Sequence, residues 1–317
     1  METRQLGSSG IGVSLAGLGC NNFGMKIDLD ASRAVIDQAL DVGITFFDTA
    51  EFYGAGTSEK FLGQVLGSRR KDVVLATKFG GSAKLRETGE LWGRSGFVHK
   101  SVDESLKRLR TDWIDLYQIH FPDPDTPIEE TLDALHTLVG QGKVRAIGCS
   151  NFDRTMIDDA ARKAVAADVT EFVTVQNEWS LLNRTIEEEV VSACVERGLG
   201  IIPFFPLALG MLTGKYRRGE PFGKGTRFDS PTFGGIVARV ATDENFAKVE
   251  ALKVIAKQCG MTVLELAISW VASQASVSSV ITGATTPKQV VTNAAATDRR
   301  LSTYELDAID NCVLLTG

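Results

Sequence analysis

Four side chains in the first half of the chain have the types needed to deliver a proton to an oxygen that gains negative charge: Asp48, Tyr53, Lys78 and His120. Asp48 falls near the end of the apolar run ITFFDTA (44–50), and Tyr53 follows on the loop DTAEFYG (48–54). Lys78 stands near the end of DVVLATKF (72–79), and His120 ends WIDLYQIH (113–120). Burying an ammonium without a partner costs several kcal/mol, so Lys78 needs a carboxylate, and Asp48 on the preceding strand is the natural one. A phenol, with an ordinary pKa of about 10, is a poor donor at neutral pH; a neighbouring ammonium lowers that value by favouring phenolate. His120 can donate a hydrogen bond to the same oxygen. Singly, Asp48 reads as a helix cap and His120 as a core histidine; His99 and His136 lie on helical stretches and are read as structural.

The four groups meet only if the strands that carry them are neighbours. Eight short runs read as buried strands: 14–19, 44–50, 72–79, 113–120, 144–150, 172–177, 199–205 and 276–283. Segments with helical spacing lie between or after them: 30–43, 57–67, 101–110, 127–142, 185–198, 243–260, 262–274, 287–296 and 301–313. Pro127 and Pro287 suit first helical turns, and Gly43, Gly140, Gly142 and Gly198 suit helix ends. Strands alternating with helices predict an α/β fold with a parallel sheet, and eight of them predict a single (β/α)8 barrel spanning 1–317. Polar residues appear at the last positions of the strands, where such barrels carry their chemistry. The segment METRQLGSSGIGVS predicts an N-terminal hairpin capping the barrel floor, and LSTYELDAIDNCV an extra C-terminal helix. Two long connections, 80–96 and 214–241, are rich in Gly, Arg and Pro and are expected to be loops.

Composition narrows the function classes. The chain has 34 basic and 40 acidic residues, a formal net charge of −6, which argues against a nucleic-acid footprint. The five cysteines form no CxxC pair, so no zinc knuckle or metal site is expected, and their odd number suits a reducing cytoplasm. No apolar leader opens the sequence and no run of about 18 apolar residues crosses it, so neither export nor a membrane is expected. The doubly wound dinucleotide fingerprint fails, since Gly17-Leu18-Gly19 is followed by Asn22 in the third glycine position. The phosphate-loop pattern fails at Tyr216, and HExxH and GxSxG are absent.

The chain resembles the aldo-keto reductase superfamily over nearly its whole length. The resemblance rests on GLGCNNFG (17–24), GITFFDTAEFYGAGTSEKFLG (43–63), VVLATKFG (73–80), SLKRLRTDWIDLYQIH (105–120), GKVRAIGCSNF (142–152), VQNEWSLLNR (175–184), PLALGMLTGKYRRGE (206–220) and VITGATTPKQVVTNAA (280–295). The long 214–241 connection is similar to the bacterial and channel-β-subunit branches. What the resemblance implies is hydride transfer between NADP(H) and a carbonyl or alcohol, with Asp48, Tyr53, Lys78 and His120 as the catalytic set. It assigns the nicotinamide carboxamide to Ser150, Asn151 and Gln176, ring stacking to Phe204, and the pyrophosphate to Leu207, Gly210 and Lys215, with Phe205 where a small Ser is usual. It assigns the adenosine phosphate to Gly283 through Asn293, with Gln289 and Asn293 at the adenine. Cys20, Asn21, Asp48 and Pro206 complete the expected cofactor contacts. Thr285 stands where many relatives place an Arg on the 2′-phosphate; Lys288, or Arg227 from the long loop, would replace it, and NAD(H) is then a possible second cofactor.

Phe23, Phe52, Trp92 and Phe121 are the candidate walls of a substrate pocket. Trp113 and Trp179 are expected to pack in the barrel shell. The expected partner is a small carbonyl or alcohol, and the chain is expected to be a monomer or homo-oligomer. Two other functions are weighed: a Schiff base on Lys78 as in class I aldolases, and a nicotinamide-sensing regulatory subunit with little turnover. A sugar dehydrogenase working in the oxidative direction is a further variant.

Overall fold

The computed structural model describes residues 1–229 and 234–315. Eight parallel strands pair in the order β10-β3-β4-β5-β6-β7-β8-β9. They are β3 (Ala16–Gly19), β4 (Phe46–Asp48), β5 (Val74–Phe79), β6 (Ile114–Ile119), β7 (Val144–Ser150), β8 (Thr174–Gln176), β9 (Gly200–Ile201) and β10 (Val280–Gly283). The two ends meet just before β10: Ile201 donates its N–H to the Ser276 carbonyl at 2.8 Å, and the Ser278 N–H returns to the Ile201 carbonyl at 2.8 Å. The fold is therefore the expected (β/α)8 barrel. β9 is shorter than the run 199–205 because Pro203 has no N–H to give the ladder.

The hairpin of β1 (Thr3–Gln5) and β2 (Gly12–Ser14) is antiparallel and caps the barrel floor. Leu6, Ile11 and Val13 from it pack on Phe46, Ala76, Leu116, Ala146, Ile202 and Ile281, which fill the barrel interior. Arg4 fixes it there by donating to the carbonyls of Ala272, Gln274 and Val277. Gly7 is required: its φ is +52°, and a Cβ would lie 2.0 Å from the Val173 carbonyl oxygen.

Helices cover the sheet: α1 (Leu29–Asp41), α2 (Thr57–Leu66), α3 (Ala83–Thr88), α4 (Ser95–Leu109), α5 (Ile128–Gly140), α6 (Arg154–Ala167), α7 (Ser192–Arg197), α8 (Gly234–Val240), α9 (Asp243–Gln258), α10 (Val263–Ala272), α11 (Pro287–Asp298) and α12 (Thr303–Leu315). Several starts are capped by side chains. Asp28, Asp153, Thr242 and Thr286 accept from the N–H three residues on, and Thr262 with Glu265 forms a reciprocal box. Pro287 is the first residue of α11 as expected, whereas Pro127 is the cap residue just before α5. Three helices depart from the expected pattern. α6 was not anticipated, and its buried face is only Ile157, Ala160 and Ala164. α3 and α8 lie inside the two connections expected to be loops. Residues 230–233 of the second connection lie outside the described residues. The segment 185–198 is not one helix: Glu187–Val191 makes a wider π turn before α7. α12 closes against α9 and is tied down by Asp310, which accepts from Arg184 at 2.7 Å. Trp179 is buried edge-on to Trp270 in the shell, and Trp113 lies under the Arg70 guanidinium. No single described helix is long and apolar enough to cross a membrane.

Candidate active site

The period of two along a strand places the site. Phe46, Ala76 and Leu116 point into the apolar barrel interior, so Asp48, Lys78 and Gln118, two residues further, point the same way one layer higher. There Lys78 Nζ donates to Asp48 Oδ2 at 2.7 Å and to the Thr49 carbonyl at 2.8 Å. Lys78 is fully buried and Asp48 nearly so. Gln176 Nε2, from β8, donates to the other oxygen of Asp48 at 2.9 Å. The network continues: Ser150 donates to the Gln176 main-chain carbonyl at 2.8 Å, and Asn151 Nδ2 to the His120 carbonyl at 2.9 Å and to Ser150 Oγ at 3.1 Å. Asn151 takes a left-handed backbone, φ +61°, which Asn tolerates better than most side chains.

Tyr53 joins from the loop after β4. The Lys78 ammonium lies 5.1 Å from the Tyr53 ring centroid. Burial pushes the Tyr53 phenol up; Lys78 pulls it down and Asp48 pushes it up, and the net is above the ordinary value. The sequence had suggested a lowered phenol; burial outweighs the ammonium. Burial works against charge on Lys78 too, but Asp48 and Tyr53 offset it and leave the ammonium above its ordinary value. His120 follows β6 and is pushed well below the ordinary histidine value by burial and then by Lys78, so its ring is neutral. The imidazole is stacked between two rings, Phe52 at 4.7 Å and Phe121 at 5.0 Å, with Tyr53 edge-on at 5.8 Å. The structure thus brings Asp48, Tyr53, Lys78 and His120 to one mouth of the barrel.

The residues expected around a dinucleotide run along the same rim. Phe204 and Phe205 meet edge to face at 5.1 Å, and the Arg227 guanidinium lies 5.8 Å from the Phe205 ring centroid. Pro206 is buried and Leu207 half-buried beyond them. Phe205, Ala208, Leu209 and Gly210 all have positive φ, a tight turn that side chains seldom adopt. Lys215 lies over the Tyr216 ring at 4.9 Å, and a Cβ on Gly210 would meet its Nζ at 3.4 Å. Arg227 Nη2 reaches Asn21 Oδ1 at 3.4 Å, and a Cβ on Gly283 would stand 2.9 Å from that guanidinium. Burial lowers the Arg227 value. Cys20 is buried, its thiol pushed well up by burial and then by Asp48. At α11, Gln289 Oε1 accepts from Thr285 N at 2.7 Å and Thr285 Oγ1 at 3.1 Å; Lys288 is exposed and Asn293 buried. Three cations, a helix N-terminus and a glycine cradle suit an anionic dinucleotide. A buried His120 Nδ1 that bonds to no described residue suits a polar ligand beside it.

Among the expected pocket walls, Phe52 and Phe121 flank His120, and Trp92 donates its indole N–H to the Phe121 carbonyl at 2.9 Å. Phe23 differs: it is wholly enclosed in the apolar shell and presents no wall. A cavity of about 720 Å³ opens beside the mouth, reaching from Asn151 and Ile119 to Trp92, Phe121 and Arg86. Two contributors had no role in the sequence reading. Thr49 holds Lys78 through a carbonyl, which no side-chain pattern reveals. Glu51 accepts from Gly80 N at 2.7 Å and joins the Tyr53 loop to the end of β5; its place between Asp48 and Tyr53 was the available signal. No group of three metal-ligating side chains is found among the described residues.

A parallel barrel with this buried pair at its mouth defines the class of protein, and sequence comparison names the family. The Aldo/keto reductase family model matches residues 16–314, and the chain belongs to that family. It is 35% identical over 312 residues to a probable voltage-gated potassium channel subunit beta of Oryza sativa subsp. japonica, covering 94% of this chain and 92% of the relative. It is 31% identical over 319 residues to the L-glyceraldehyde 3-phosphate reductase of Escherichia coli O157:H7, covering 98% and 92%. It is 35% identical over 298 residues to the aldo-keto reductase YhdN of Bacillus subtilis (strain 168), covering 92% and 87%. These relatives support an oxidoreductase acting on small carbonyl compounds with a nicotinamide cofactor.

Proposed function

We propose that this chain is an NADP(H)-dependent carbonyl reductase, reversible toward alcohol oxidation, in which Tyr53 is the proton donor. The observation that carries the reading is the buried Lys78–Asp48 pair at 2.7 Å beside Tyr53 and His120. Ser150, Asn151 and Gln176 would hold the nicotinamide end, Lys215 the pyrophosphate, and Thr285, Lys288, Gln289 and Asn293 the adenosine end; Arg227, expected at the 2′-phosphate, stands instead beside Asn21 and Gly283 and would join Lys215 at the pyrophosphate. A nicotinamide bound there supplies hydride. Tyr53 keeps its proton at neutral pH, since burial holds the phenol above its ordinary value. Negative charge developing on the substrate oxygen makes that oxygen the better base, and Tyr53 then releases its proton to it. Lys78 stabilises the phenolate left behind, and Asp48 holds Lys78 in place. His120, neutral and clamped between Phe52 and Phe121, orients the carbonyl through a hydrogen bond.

The deciding experiment measures steady-state NADPH and NADH consumption with a panel of aldehydes, ketones and open-chain sugars. Robust turnover with at least one simple aldehyde supports the reading; none across the panel overturns it. The plant relatives named as probable potassium channel β subunits favour a second reading, a redox-sensing subunit with little turnover. Tight NADPH binding without turnover on that panel would select it. A Schiff base on Lys78 is disfavoured, because Asp48 and Tyr53 hold the amine charged and a nucleophilic amine must be neutral. Borohydride trapping of a substrate on Lys78 would revive it.

A further inference from the structure

A column of flat groups leads outward from the candidate catalytic histidine. Phe52 stacks on His120 at 4.7 Å, His120 on Phe121 at 5.0 Å, and the Arg86 guanidinium lies over Phe121 at 5.0 Å and near the Trp92 ring at 5.9 Å. Arg86 comes from α3, a short helix with no buried residue, and its remaining tie is Nε to the Gly81 carbonyl at 3.3 Å. It makes no ion pair with any described residue. Two tight glycines set this arrangement: a Cβ on Gly80 would lie 2.3 Å from the Trp92 ring, and one on Gly81 2.4 Å from the Phe121 ring.

Arg86 lines the cavity of about 720 Å³, which also touches Asn151 and Phe121, the neighbours of Ser150 and His120 in the chain. Four carboxylates, Glu90, Asp123, Asp125 and Asp159, and one other cation, Lys163, also line it. Lys163 is paired with Glu129 and Asp159. Asp123 accepts from the Gly93 amide and the Thr126 hydroxyl. Glu90 and Asp125 are exposed, as Arg86 is, and neither forms an ion pair with it among the described residues. Arg86 is therefore the cation of this cavity without a carboxylate partner among the described residues, and the Phe121 and Trp92 rings flank it.

We propose that Arg86 is a specificity residue that receives an acidic group, carboxylate or phosphate, carried by the carbonyl substrate at the end remote from the reacting carbon. The guanidinium presents a planar fork that matches either oxyanion two bonds at a time, and the Phe121 and Trp92 faces cover the apolar stretch between. The inference rests on the reductase reading above and adds the substrate class.

The test compares matched pairs with NADPH: 4-carboxybenzaldehyde against benzaldehyde, and glyceraldehyde 3-phosphate against glyceraldehyde. The expected result is a KM for at least one acidic member roughly tenfold or more below that of its neutral partner. Arg86→Gln should abolish that advantage by raising the acidic member's KM, leave kcat and the neutral member's KM within about twofold, and Arg86→Lys should restore part of it. Which pair responds tells carboxylate from phosphate. Turnover of the neutral members with no acidic preference, or an Arg86→Gln loss equal for both members, overturns the specificity role while the reductase reading stands. Turnover of none of the four overturns the specificity role, and turnover of nothing on the wider panel overturns the reductase reading as well. Thermal melting of Arg86→Gln at the wild-type temperature shows that the exposed side chain is not needed for folding.

Discussion

Lys78 Nζ donates to Asp48 Oδ2 across 2.7 Å in a layer closed to water, and Gln176 occupies the other Asp48 oxygen at 2.9 Å. The pair is structural and electrostatic at once. Lys78→Met leaves Asp48 buried with its main cation gone, which costs about 3–5 kcal/mol at a site of this kind. Turnover should fall at least about a hundredfold, because nothing then stabilises a Tyr53 phenolate. Denaturant melts should show Lys78→Met with Asp48→Asn less destabilised than the sum of the two single variants. Additive losses would mean that the two groups do not act as a pair.

Tyr53 gives the sharpest separation of chemistry from binding. Tyr53→Phe removes the hydroxyl and keeps the ring against His120. Turnover should fall by about 10²–10⁴, the usual worth of a positioned general acid, while the NADPH dissociation constant stays within about twofold. Because burial holds the phenol above its ordinary value, the donor stays protonated through neutrality. Carbonyl reduction should therefore be flat from about pH 6 to 9 and fall only above that, while alcohol oxidation, which needs the phenolate, rises over the same range. His120, neutral because burial pushes it down, should add no inflection near the ordinary histidine value.

Much of this site was legible because strand-end polarity is a strong signal: Asp48, Lys78 and His120 each interrupt an otherwise apolar run, and parallel pairing in chain order makes the runs neighbours. The barrel and its hairpin were legible from the same alternation. What was hidden has physical causes. The net direction at Tyr53 depends on how deeply the ring is buried, which residue types do not report. α6 escaped because its apolar face is small, Ile157 and two alanines, on a helix that is polar elsewhere. α3 buries nothing, so its periodicity carries no core signal. Phe23 looked like a pocket wall from its loop position, and only the packing shows it enclosed.

Glu51 tests how the Tyr53 loop is held. Its N–H bonds to the Lys78 carbonyl at 3.0 Å and its carboxylate accepts from Gly80 N at 2.7 Å. Burial raises its value above the ordinary 4.5, partly offset by the Gly80 and Ser101 hydrogen bonds. The folded state thus keeps this proton longer than the unfolded chain does. Its contribution to stability is fully present below the ordinary value and is lost as pH rises through the raised one. Glu51→Gln keeps an acceptor for Gly80 and removes the buried charge. Its melting temperature relative to wild type should therefore be higher at pH 8 than at pH 4, and Glu51→Ala should lose activity that Glu51→Gln retains. A Glu51→Gln difference that shrinks as pH rises would show that the carboxylate, not the neutral acid, is the favoured form.

Cofactor choice should turn on Thr285. Its N–H and hydroxyl are both taken by Gln289 Oε1, at 2.7 and 3.1 Å, so its hydroxyl proton is directed away from a phosphate. Lys288 is an exposed point charge on the first turn of α11, where an anion is also favoured by the helix end. Arg227 is engaged at Asn21 and Phe205, nearer Gly283 than α11. A 2′-phosphate placed there would be met without the bidentate fork, and the wild-type preference for NADPH over NADH should be modest. Thr285→Arg keeps the backbone bond to Gln289 and adds that fork. It should raise the ratio of kcat/KM for NADPH over NADH roughly tenfold or more, mostly through KM, and Lys288→Ala should lower the ratio. If Thr285→Arg leaves the ratio unchanged, the adenosine end lies away from α11 and the assignment of Thr285, Lys288 and Gln289 to it is wrong.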